Sequence, residues 1–348
     1  MSTRKEARTV FHRGRPTRLA IALLTLCTFV DCGQVRAGDW KIGLRRLSFP
    51  DPLSGAVMTG LVTYPTGAPA TSLRVGPFTL TAAEDAPPES GRFPLVIFSH
   101  GTGGLPELYL WIFEGLTANG FIVAGVTHPK DNYNDRSGSF DDALLIDRVR
   151  HISALIDQVE HDARLGPRID SGKIGTIGHS AGGYTAILSA GGMPDFAQFR
   201  GGRCGRDSQT RPEQPRFAHD PSASPAADSR VRAAAAMAPA LGCLFDRDSL
   251  SAIHIPIRFY QADSDEILQP GFNAVYFASL FMQTPDVVHI PHAGHFIFIN
   301  KCPLIMSLIA REICLDSWGT NRGNIHHRLI EDIALFFARA LDAKPKRD

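Results

Sequence analysis

The sequence has almost no net charge and no long apolar run or internal repeat. Its 36 basic and 35 acidic side chains leave a formal net charge of +1, so nothing at this level indicates a nucleic-acid partner. No segment is of the low complexity that a fibrous or disordered chain would have, and no repeat indicates a solenoid. The 348 residues, 44% hydrophobic and 20% charged, are typical of a globular protein with one large domain or two ordinary ones.

The longest apolar run is Leu19–Val30, which is shorter than the roughly 20 residues that a bilayer-spanning helix needs. Residues 1–37 hold seven of the basic side chains and two of the acidic ones. A basic segment, a short apolar segment and the small residues Val35 and Ala37 are typical of a secretory signal cleaved after Ala37. We therefore expect a signal peptide at 1–37 and a periplasmic or secreted mature domain at 38–348 without a membrane span. An uncleaved N-terminal anchor is the alternative.

Cysteine is scarce, with six residues, of which two fall in the expected signal peptide. The other four are an even number, which in an exported chain indicates two disulfides. The local pairings are Cys302 with Cys314 and Cys204 with Cys243, each stabilising by about 2–4 kcal/mol; four buried free thiols are the alternative. None of the four has CxxC or Cys/His spacing, so we expect no metal site.

Short apolar runs bounded by turn residues alternate with helical periodicity along most of the mature chain. This alternation predicts an α/β fold with a mostly parallel central sheet, covered by helices on both faces. Three strands separated by Pro/Gly turns are expected before it, at Leu44–Phe49, Ala56–Tyr64 and Phe78–Ala82. The later strands are predicted at Pro94–Ser99, Phe121–Val126, Lys173–Ile177, Val231–Met237, Ile257–Ala262 and Val287–Ile290. The helices are predicted at Tyr109–Asn119, Leu144–Glu160, from Ala181 onward and at Ile325–Leu341.

Between Met193 and Arg230 the periodicity fails, and the composition shifts to Gly, Pro, Ser, Asp and Arg. This stretch is longer than an ordinary loop, which favours a functional segment. We predict an insertion or loose cap at 193–230, after the helix that begins at Ala181.

The segment Gly178–Gly183 reads GHSAGG and lies directly between the predicted strand Lys173–Ile177 and a predicted helix. This is the context of the G-x-S-x-G nucleophile elbow, in which a strained turn exposes the serine hydroxyl. A Cβ at Gly178 or Gly182 would crowd the turn, and the new helix directs its free N–H groups toward the serine. We predict that Ser180 is a nucleophile; a purely structural glycine-rich turn is the alternative.

A second glycine-rich segment, Ser99–Gly104 (SHGTGG), follows an earlier predicted strand. Loops in this position supply a backbone donor for the oxyanion in proteins with a nucleophile elbow. We expect the amides of Thr102 and Ala181 to form the oxyanion hole, with Gly101 as the alternative loop donor. A phosphate-binding loop would need the Lys and Ser/Thr of a P-loop, which are absent.

The base is expected on a loop that can reach over Ser180. The segment Pro291–Phe296 (PHAGHF) follows the last predicted strand and offers two histidines. We favour His295, because the small Ala-Gly pair before it lets the loop turn inward, and His292 is the alternative. His100, in the glycine-rich loop, is expected only to pack and hydrogen-bond there.

Three acidic residues, Asp263, Asp265 and Glu266, follow the predicted strand Ile257–Ala262, between the nucleophile and the histidine in chain order. The acid must accept a hydrogen bond from the far imidazole nitrogen and orient the ring. We favour Asp265, because it lies past the strand end where the chain must turn. Asp263 is the alternative and would otherwise cap the turn.

Taken together, PLVIFSHGTGG, THP at Thr127–Pro129, GHSAGGY, YQADSDEILQP and HAGHF resemble the bacterial "predicted dienelactone hydrolase" group of the α/β-hydrolase superfamily. That group lies near platelet-activating factor acetylhydrolases and cutinase-like polyesterases. The resemblance extends over Ile42–Leu341 and implies an α/β-hydrolase catalytic domain, ester hydrolysis and no cofactor. It places the nucleophile, acid, base and oxyanion amides at Ser180, Asp265, His295, Thr102 and Ala181. Dienelactone hydrolases themselves have a cysteine nucleophile, whereas position 180 is serine.

The expected reaction is acyl transfer from a small ester or lipid substrate to Ser180 and then to water. An acyltransferase, an amidase or a peptidase would use the same residues and differ in acceptor or substrate. A non-catalytic binding protein on this scaffold is the alternative of another class. It would be expected to lack the serine, the histidine or the acid, all of which are present. The sequence contains nothing that fixes the oligomeric state.

Overall fold

The computed structural model describes residues 40–343 except Phe140, 198–226 and Gln269. The predicted signal peptide and most of the predicted insertion therefore lie outside the described residues. At the flanks of the insertion, the N–H groups of Met193 and Asp195 donate to the carbonyls of Ser249 and Leu244 at 2.8 Å. Within the described ranges, no helix has both the length and the apolar character needed to cross a membrane.

A mixed sheet forms the centre of the described chain, with strand order β10-β9-β8-β7-β5-β6-β2-β1-β4-β3. Strands β5 to β10 pair in parallel with one another, β2 pairs antiparallel with β6, and β1 pairs antiparallel with β2. The strands are Lys41–Pro50 (β1), Val57–Thr66 (β2), Thr71–Val75 (β3), Phe78–Glu84 (β4), Phe93–Ser99 (β5), Ile122–Thr127 (β6), Ile169–His179 (β7), Val231–Met237 (β8), Ile257–Ala262 (β9) and Val287–Ile290 (β10). Each predicted strand is confirmed; β3, a short and mostly exposed edge strand, was not predicted because it lacks a buried run.

Helices cover both faces of the parallel strands. They are Leu110–Ala118 (α1), Asp142–Glu160 (α2), Ala181–Ser189 (α3), Arg247–Leu250 (α4), Ala274–Leu280 (α5), Leu304–Ile309 (α6), Arg311–Cys314 (α7) and Arg322–Ala340 (α8). On β5, Val96 and Phe98 pack in the core with α1 and α8, whereas Leu95 and Ile97 pack in the core with α2. Burial on both faces explains why this strand is a continuous apolar run.

The strand register brings the loops that carry the predicted site to one edge of the sheet. Ser99 at the end of β5 is level with Gly178 of β7, and Ala262 at the end of β9 is level with Ile290 of β10. The segments that follow these strands hold the glycine-rich loop, the elbow serine, the acids and the histidines. Ligands of open α/β sheets bind at this carboxyl edge.

Cys302 and Cys314 form a disulfide, which confirms the first of the two predicted pairings. The second pairing involves Cys204, which lies outside the described residues, and it stays a prediction.

Candidate active site

Ser180 lies on a sharp turn between β7 and α3. Its φ of 56° is in the left-handed region, which is strained for a residue with a side chain. The turn is held on both sides, because the N–H of Ser180 donates to the Met237 carbonyl at 2.9 Å and its carbonyl accepts from Tyr184 and Ala240 at 3.0 Å. The structure thus contains the predicted elbow, with the serine at its tip.

The two elbow glycines are required by close backbone approach. A Cβ at Gly178 would overlap the carbonyl group of Gly182, and a Cβ at Gly182 would overlap the carbonyl of Ser99 at the end of β5. The elbow therefore packs directly against the neighbouring strand, and any larger residue would push Ser180 out of position.

His295 and Asp265 form a buried pair at the same edge. The Nδ1 atom of His295 lies 2.8 Å from Oδ2 of Asp265, and the two side chains are 3% and 2% exposed. The other carboxylate oxygen, Oδ1, accepts from the backbone N–H groups of Ile267 and Leu268 at 2.9 and 2.7 Å. Because a carboxylate only accepts, Nδ1 of His295 donates this hydrogen bond, which leaves Nε2 as the ring nitrogen that can act as a base.

The alternative acid and base lie elsewhere. Asp263 pairs with His289, with Oδ1 and Nδ1 2.8 Å apart, and both side chains are substantially exposed. His292 is exposed on a turn with φ of 61°. Glu266 accepts the backbone N–H of His295 at 3.1 Å and so holds the histidine loop in place. The structure thus brings Asp265, and not Asp263, to His295.

Gly294 has a second reason to be small, beside the one expected. A Cβ at this position would press on the carboxylate of Glu266, at 2.6 Å from Oε2. The glycine therefore makes room for the acid that supports His295, rather than only giving the loop freedom to turn inward.

The glycine-rich loop forms a tight turn beside Ser180. The N–H of Gly104 donates to the Gly101 carbonyl at 3.0 Å, and Gly103 has a φ of 64°, which suits glycine. The loop touches the elbow, since a Cβ at Gly101 would lie 3.3 Å from the Cβ of Ser180. The N–H of Gly103 donates to Asp131 Oδ1 at 3.0 Å. Gly103 is therefore not available as an oxyanion donor. Thr102, the expected donor, is the residue before it in the turn.

The elbow, the glycine-rich loop and the histidine loop all contribute to the wall of a cavity of about 370 Å³. Ser180, His295, Thr102 and Ala181 all line it. Ala181 is the first residue of α3, where the N–H groups have no intrahelical acceptor. The rest of the wall is mostly apolar and is formed by Leu108, Leu145, Leu241, Leu268, Phe296, Ile299 and Ile313, with Arg136 and Glu312 as charged members. In the part of the chain that the structure describes, no group of three or more His, Cys, Asp or Glu side chains is arranged to hold a metal ion.

Arg148 is a residue of the site that the sequence analysis missed. Its guanidinium is fully buried and pairs with Asp131 Oδ2 at 2.7 Å. It also donates to Thr185 Oγ1 of α3 at 2.9 Å and to the carbonyl of His100 in the loop. One side chain thus fastens the loop to α3. Its position on α2 gave a signal, because residue 148 falls on the same apolar face as Leu145.

His100 is part of this scaffold, as predicted. Its Nδ1 donates to the Gly101 carbonyl at 2.7 Å, and its Nε2 accepts the backbone N–H of His128 at 3.0 Å. Burial, together with the positive charge of Arg148, lowers the pKa of His100 to about 3. The ring is therefore neutral, with both nitrogens used for holding the loop.

His179, next to Ser180 in the chain, hydrogen-bonds to the backbone of His295. Burial lowers the pKa of His179 well below its ordinary value, so the ring is neutral and has one proton. Its Nε2 lies 3.0 Å from the carbonyl of His295 and its Nδ1 lies 2.9 Å from the hydroxyl of Tyr109. Because a carbonyl only accepts, Nε2 carries the proton and Tyr109 donates to Nδ1. Two hydrogen bonds in series, from Tyr109 to His179 and from His179 to the His295 carbonyl, thereby fix the backbone of His295.

The α/β-hydrolase fold is also that of a solved structure, the ferulic acid esterase from Streptomyces cinnamoneus. It superposes on this chain with a TM-score of 0.62 at 17% identity, covering 90% of this chain and 94% of the esterase. The chain is therefore an α/β-hydrolase in fold, as the sequence predicted.

Sequence comparisons add the more particular relationship. A family model described as platelet-activating factor acetylhydrolase, isoform II, matches residues 62–144. Cutinase 2 of Thermobifida cellulosilytica is 29% identical and the platelet-activating factor acetylhydrolase of Bos taurus is 28% identical, each over 32% of this chain. The chain spans 39% of the length of the cutinase and 35% of that of the acetylhydrolase. The predicted resemblance to these two groups of esterases is confirmed.

The range matched by the family model contains the glycine-rich loop Gly101–Gly104 but not Ser180, Asp265 or His295.

Proposed function

We propose that this chain hydrolyses carboxylic esters through a Ser180–His295–Asp265 triad and an acyl-enzyme intermediate. The observation that carries the proposal is the buried bond of 2.8 Å between His295 Nδ1 and Asp265 Oδ2, at a cavity whose wall includes the elbow serine. In this proposal Ser180 is the nucleophile, His295 the general base and Asp265 the acid that orients the ring.

In the first half-reaction, Ser180 Oγ attacks the ester carbonyl carbon while Nε2 of His295 takes the hydroxyl proton. The carbonyl oxygen becomes an oxyanion, and the amides of Thr102 and Ala181 donate to it. The tetrahedral intermediate then breaks its bond to the alcohol oxygen, and His295 gives that oxygen the proton. The alcohol leaves and the acyl group stays on Ser180.

In the second half-reaction, water attacks the acyl carbon and gives a proton to His295. The acid leaves as the bond to Ser180 Oγ breaks, and His295 returns the proton to Oγ. Asp265 keeps Nδ1 protonated throughout and stabilises the imidazolium that forms twice in the cycle. Each oxyanion donor contributes about 3 kcal/mol to the transition state.

The substrate is an uncharged or weakly polar ester of modest size. The cavity of about 370 Å³ lies near the lower end of the usual range for small-molecule sites, and its wall is mainly apolar. The names of the related proteins, cutinase and platelet-activating factor acetylhydrolase, support an ester bond as the target.

An exported location is part of the proposal. The disulfide between Cys302 and Cys314 supports an oxidising compartment, because such bonds are rare in the cytosol. A periplasmic or secreted protein would meet its esters outside the cytoplasm. Detection of the chain in the periplasmic or culture fraction, shortened after Ala37, would test this.

The function itself is tested with p-nitrophenyl esters of graded acyl length. Wild-type protein is expected to hydrolyse the shorter esters, and Ser180→Ala to lose at least about a thousandfold in rate. Ser251→Ala, which removes an exposed hydroxyl on the α4 segment, is the matched control. A fluorophosphonate probe should label wild type and the control but not Ser180→Ala. Full esterase activity in Ser180→Ala would overturn the assignment.

A further inference from the structure

Three buried histidines that the proposed reaction does not use lie beneath the glycine-rich loop. They are His100 in the loop, His128 after β6 and His151 on α2, at 0%, 0% and 2% exposure. The motif Thr127–Pro129, which contributed to the family resemblance, contains the second of them. Burial lowers the pKa of His128 well below its ordinary value and the pKa of His151 to about 4. Each ring is therefore neutral near neutral pH, with one nitrogen protonated and the other not.

Two of these rings belong to a chain of hydrogen bonds that begins at Arg148. Nη2 of Arg148 donates to Ser99 Oγ at 3.2 Å, and Ser99 Oγ lies 2.9 Å from Nε2 of His128. Nδ1 of His128 in turn lies 3.2 Å from Nδ1 of His151. At the far end, Nε2 of His151 faces Oδ1 of Asp51 at 3.7 Å, which is longer than a direct hydrogen bond. The chain thus runs from the end of β5 to the turn after β1.

The two ends of this chain fix the direction of every bond in it. A guanidinium only donates, so Ser99 Oγ accepts at that end, and Nε2 of His128 is the one acceptor for its own proton among the described residues. Although burial opposes it, hydrogen bonds within the turn lower the pKa of Asp51, which is therefore a carboxylate. A lone pair facing a carboxylate would be repelled, so Nε2 of His151 carries the proton. Nδ1 of His151 is then an acceptor, and Nδ1 of His128 donates to it.

His100 connects the chain to the amide of Thr102. The backbone N–H of His128 donates to Nε2 of His100 at 3.0 Å, so the proton of His100 is on Nδ1, which donates to the Gly101 carbonyl at 2.7 Å. The peptide unit between Gly101 and Thr102 is planar and trans, so its N–H points opposite to its carbonyl. A hydrogen bond that fixes the Gly101 carbonyl therefore also fixes the direction in which the N–H of Thr102 can donate.

Arg148 joins the histidine chain to the first peptide of the loop. The same Nη2 atom that donates to Ser99 Oγ also donates to the carbonyl of His100. Nη2 can serve both oxygens only while a lone pair of the Ser99 hydroxyl, and not its proton, faces Arg148. That orientation needs an unprotonated Nε2 on His128, which the rest of the chain secures. The position of the loop thus depends on the tautomer of a buried histidine.

We propose that His128 and His151 are positioning residues, which keep the Thr102 amide aimed at the oxyanion by holding the tautomer on which the loop depends. The inference rests on the proposed function, since the oxyanion is that of the proposed reaction. Neither imidazole is part of the cavity wall, so both act through the peptide groups of the loop. A misaimed donor weakens binding of the charge that develops in the transition state but not of the ester itself. The rate constant kcat, and not KM, should therefore respond.

The chain is broken, with little change of side-chain volume, by Ser99→Ala and by His151→Phe. Each variant should lower kcat for p-nitrophenyl butyrate by about tenfold, which is part of what the loss of a whole oxyanion donor costs. KM should stay within about twofold of the wild-type value. The double variant should lose no more kcat than the weaker single variant, because a chain broken at one point is already interrupted. Rates are compared under conditions in which circular dichroism shows that each variant is folded.

Thr63→Val is the matched control. The hydroxyl of Thr63 is also fully buried and lies 2.7 Å from Thr117 Oγ1 of α1, but its hydrogen bonds do not reach the loop. This variant should lose stability as Ser99→Ala does and keep kcat within about twofold. Unchanged kcat in Ser99→Ala and His151→Phe, or an equal loss of kcat in Thr63→Val, would overturn the positioning role. Losses that multiply in the double variant, or that fall on KM alone, would do the same.

The direction of the chain is tested on the wild-type protein and so does not depend on the folding of any variant. With ¹⁵N-labelled histidine, nitrogen–proton correlation spectra distinguish a protonated ring nitrogen from an unprotonated one. The two rings are recognised by the spin coupling across the N–H···N bond that joins their Nδ1 atoms, the one such ring-to-ring bond among the described histidines. Near neutral pH, His128 should have its proton on Nδ1 and His151 on Nε2. The opposite tautomers, or a doubly protonated ring, would overturn the proposal.

Failure of the positioning role can be told apart from failure of the proposed function. Full esterase activity in Ser180→Ala would overturn the function, and this role with it. Loss of activity in Ser180→Ala together with unchanged kcat in Ser99→Ala and His151→Phe would overturn the positioning role alone.

Discussion

Arg148 and Asp131 form an ion pair of 2.7 Å that is almost completely buried beneath the proposed oxyanion loop. Other hydrogen bonds of the pair reach both parts of the site: Arg148 donates to Thr185 of α3, and Asp131 accepts from the amide of Gly103. Burial lowers the pKa of Arg148, and Asp131 partly offsets that effect. The pair therefore fixes the distance between the loop and the elbow, which is the distance that oxyanion stabilisation depends on.

The first prediction concerns the charge of Asp131. Asp131→Asn leaves Arg148 buried without its counter-ion, so the free energy of unfolding should fall by about 3–5 kcal/mol. The loop should also loosen, with kcat reduced by up to about a hundredfold at unchanged substrate size preference. Denaturant unfolding and p-nitrophenyl ester kinetics measure the two effects.

The control is Asp286→Asn. The side chain of Asp286 is 82% exposed and forms an ion pair with Arg258. An exposed pair contributes less than about 1 kcal/mol, so this variant should be nearly as stable as wild type. Equal destabilisation by the two substitutions would contradict the role given to the buried pair.

The second prediction separates the two candidate acids. Asp265→Asn should lower kcat by about ten-thousandfold, because the amide can donate to Nδ1 and favour the wrong imidazole tautomer. Asp263→Asn should leave kcat within about twofold, since it affects only the exposed partner His289. Steady-state kinetics on one ester settle the matter, and a reversed order of effects would mean that Asp263 is the acid.

The third prediction concerns the packing of the elbow. Gly182→Ala places a methyl group on the Ser99 carbonyl and should destabilise the fold by about 3 kcal/mol, with loss of labelling at Ser180. Gly271→Ala is the control, because a Cβ there meets nothing within 4 Å. Thermal unfolding measures the stability of the two variants. If Gly182→Ala were as stable as wild type, the elbow would have space for a methyl group and the prediction would be wrong.

The fourth prediction is a loss of stability in acid caused by buried neutral histidines. Burial lowers the pKa of His326 from 6.5 to about 4, although its bond to the Ile297 carbonyl acts in the opposite direction. Between pH 6.5 and 4 the unfolded chain binds more protons at this residue than the folded chain. The free energy of unfolding should therefore fall as pH falls through that window, by up to about 1.4 kcal/mol per pH unit.

His326→Phe keeps a ring stacked on Trp111, whose centroid lies 4.1 Å from that of His326, but removes the titration. Its stability should decline less steeply over this pH window than that of wild type. His327→Gln, at a neighbouring exposed position, should keep the wild-type slope. Parallel slopes for His326→Phe and wild type, in urea unfolding at each pH, would refute the explanation.

Local patterns were sufficient for most of the fold. The run PLVIFS predicted a doubly buried strand, because both of its faces meet helices, and the strand–GHSAGG–helix succession placed Ser180 on the elbow. Edge strand β3 was not predicted, because a short exposed strand has neither a continuous apolar run nor a regular alternation of apolar and polar residues. Chain order and turn placement favoured Asp265 as the acid, but Asp263 fitted the same rules nearly as well.

The sequence by itself determined the α/β alternation, the elbow serine and the order of the nucleophile, acid and histidine segments, since these depend on local periodicity and on glycine at sharp turns. Only the tertiary structure decided that Asp265 accepts from His295 while Asp263 faces solvent. It also decided that Arg148 joins the loop to α3, and that His128 and His151 form a hydrogen-bonded chain beneath that loop. Such relationships depend on which distant loops the sheet register brings together, and side-chain contacts across that distance leave no trace in the spacing of residues along the chain.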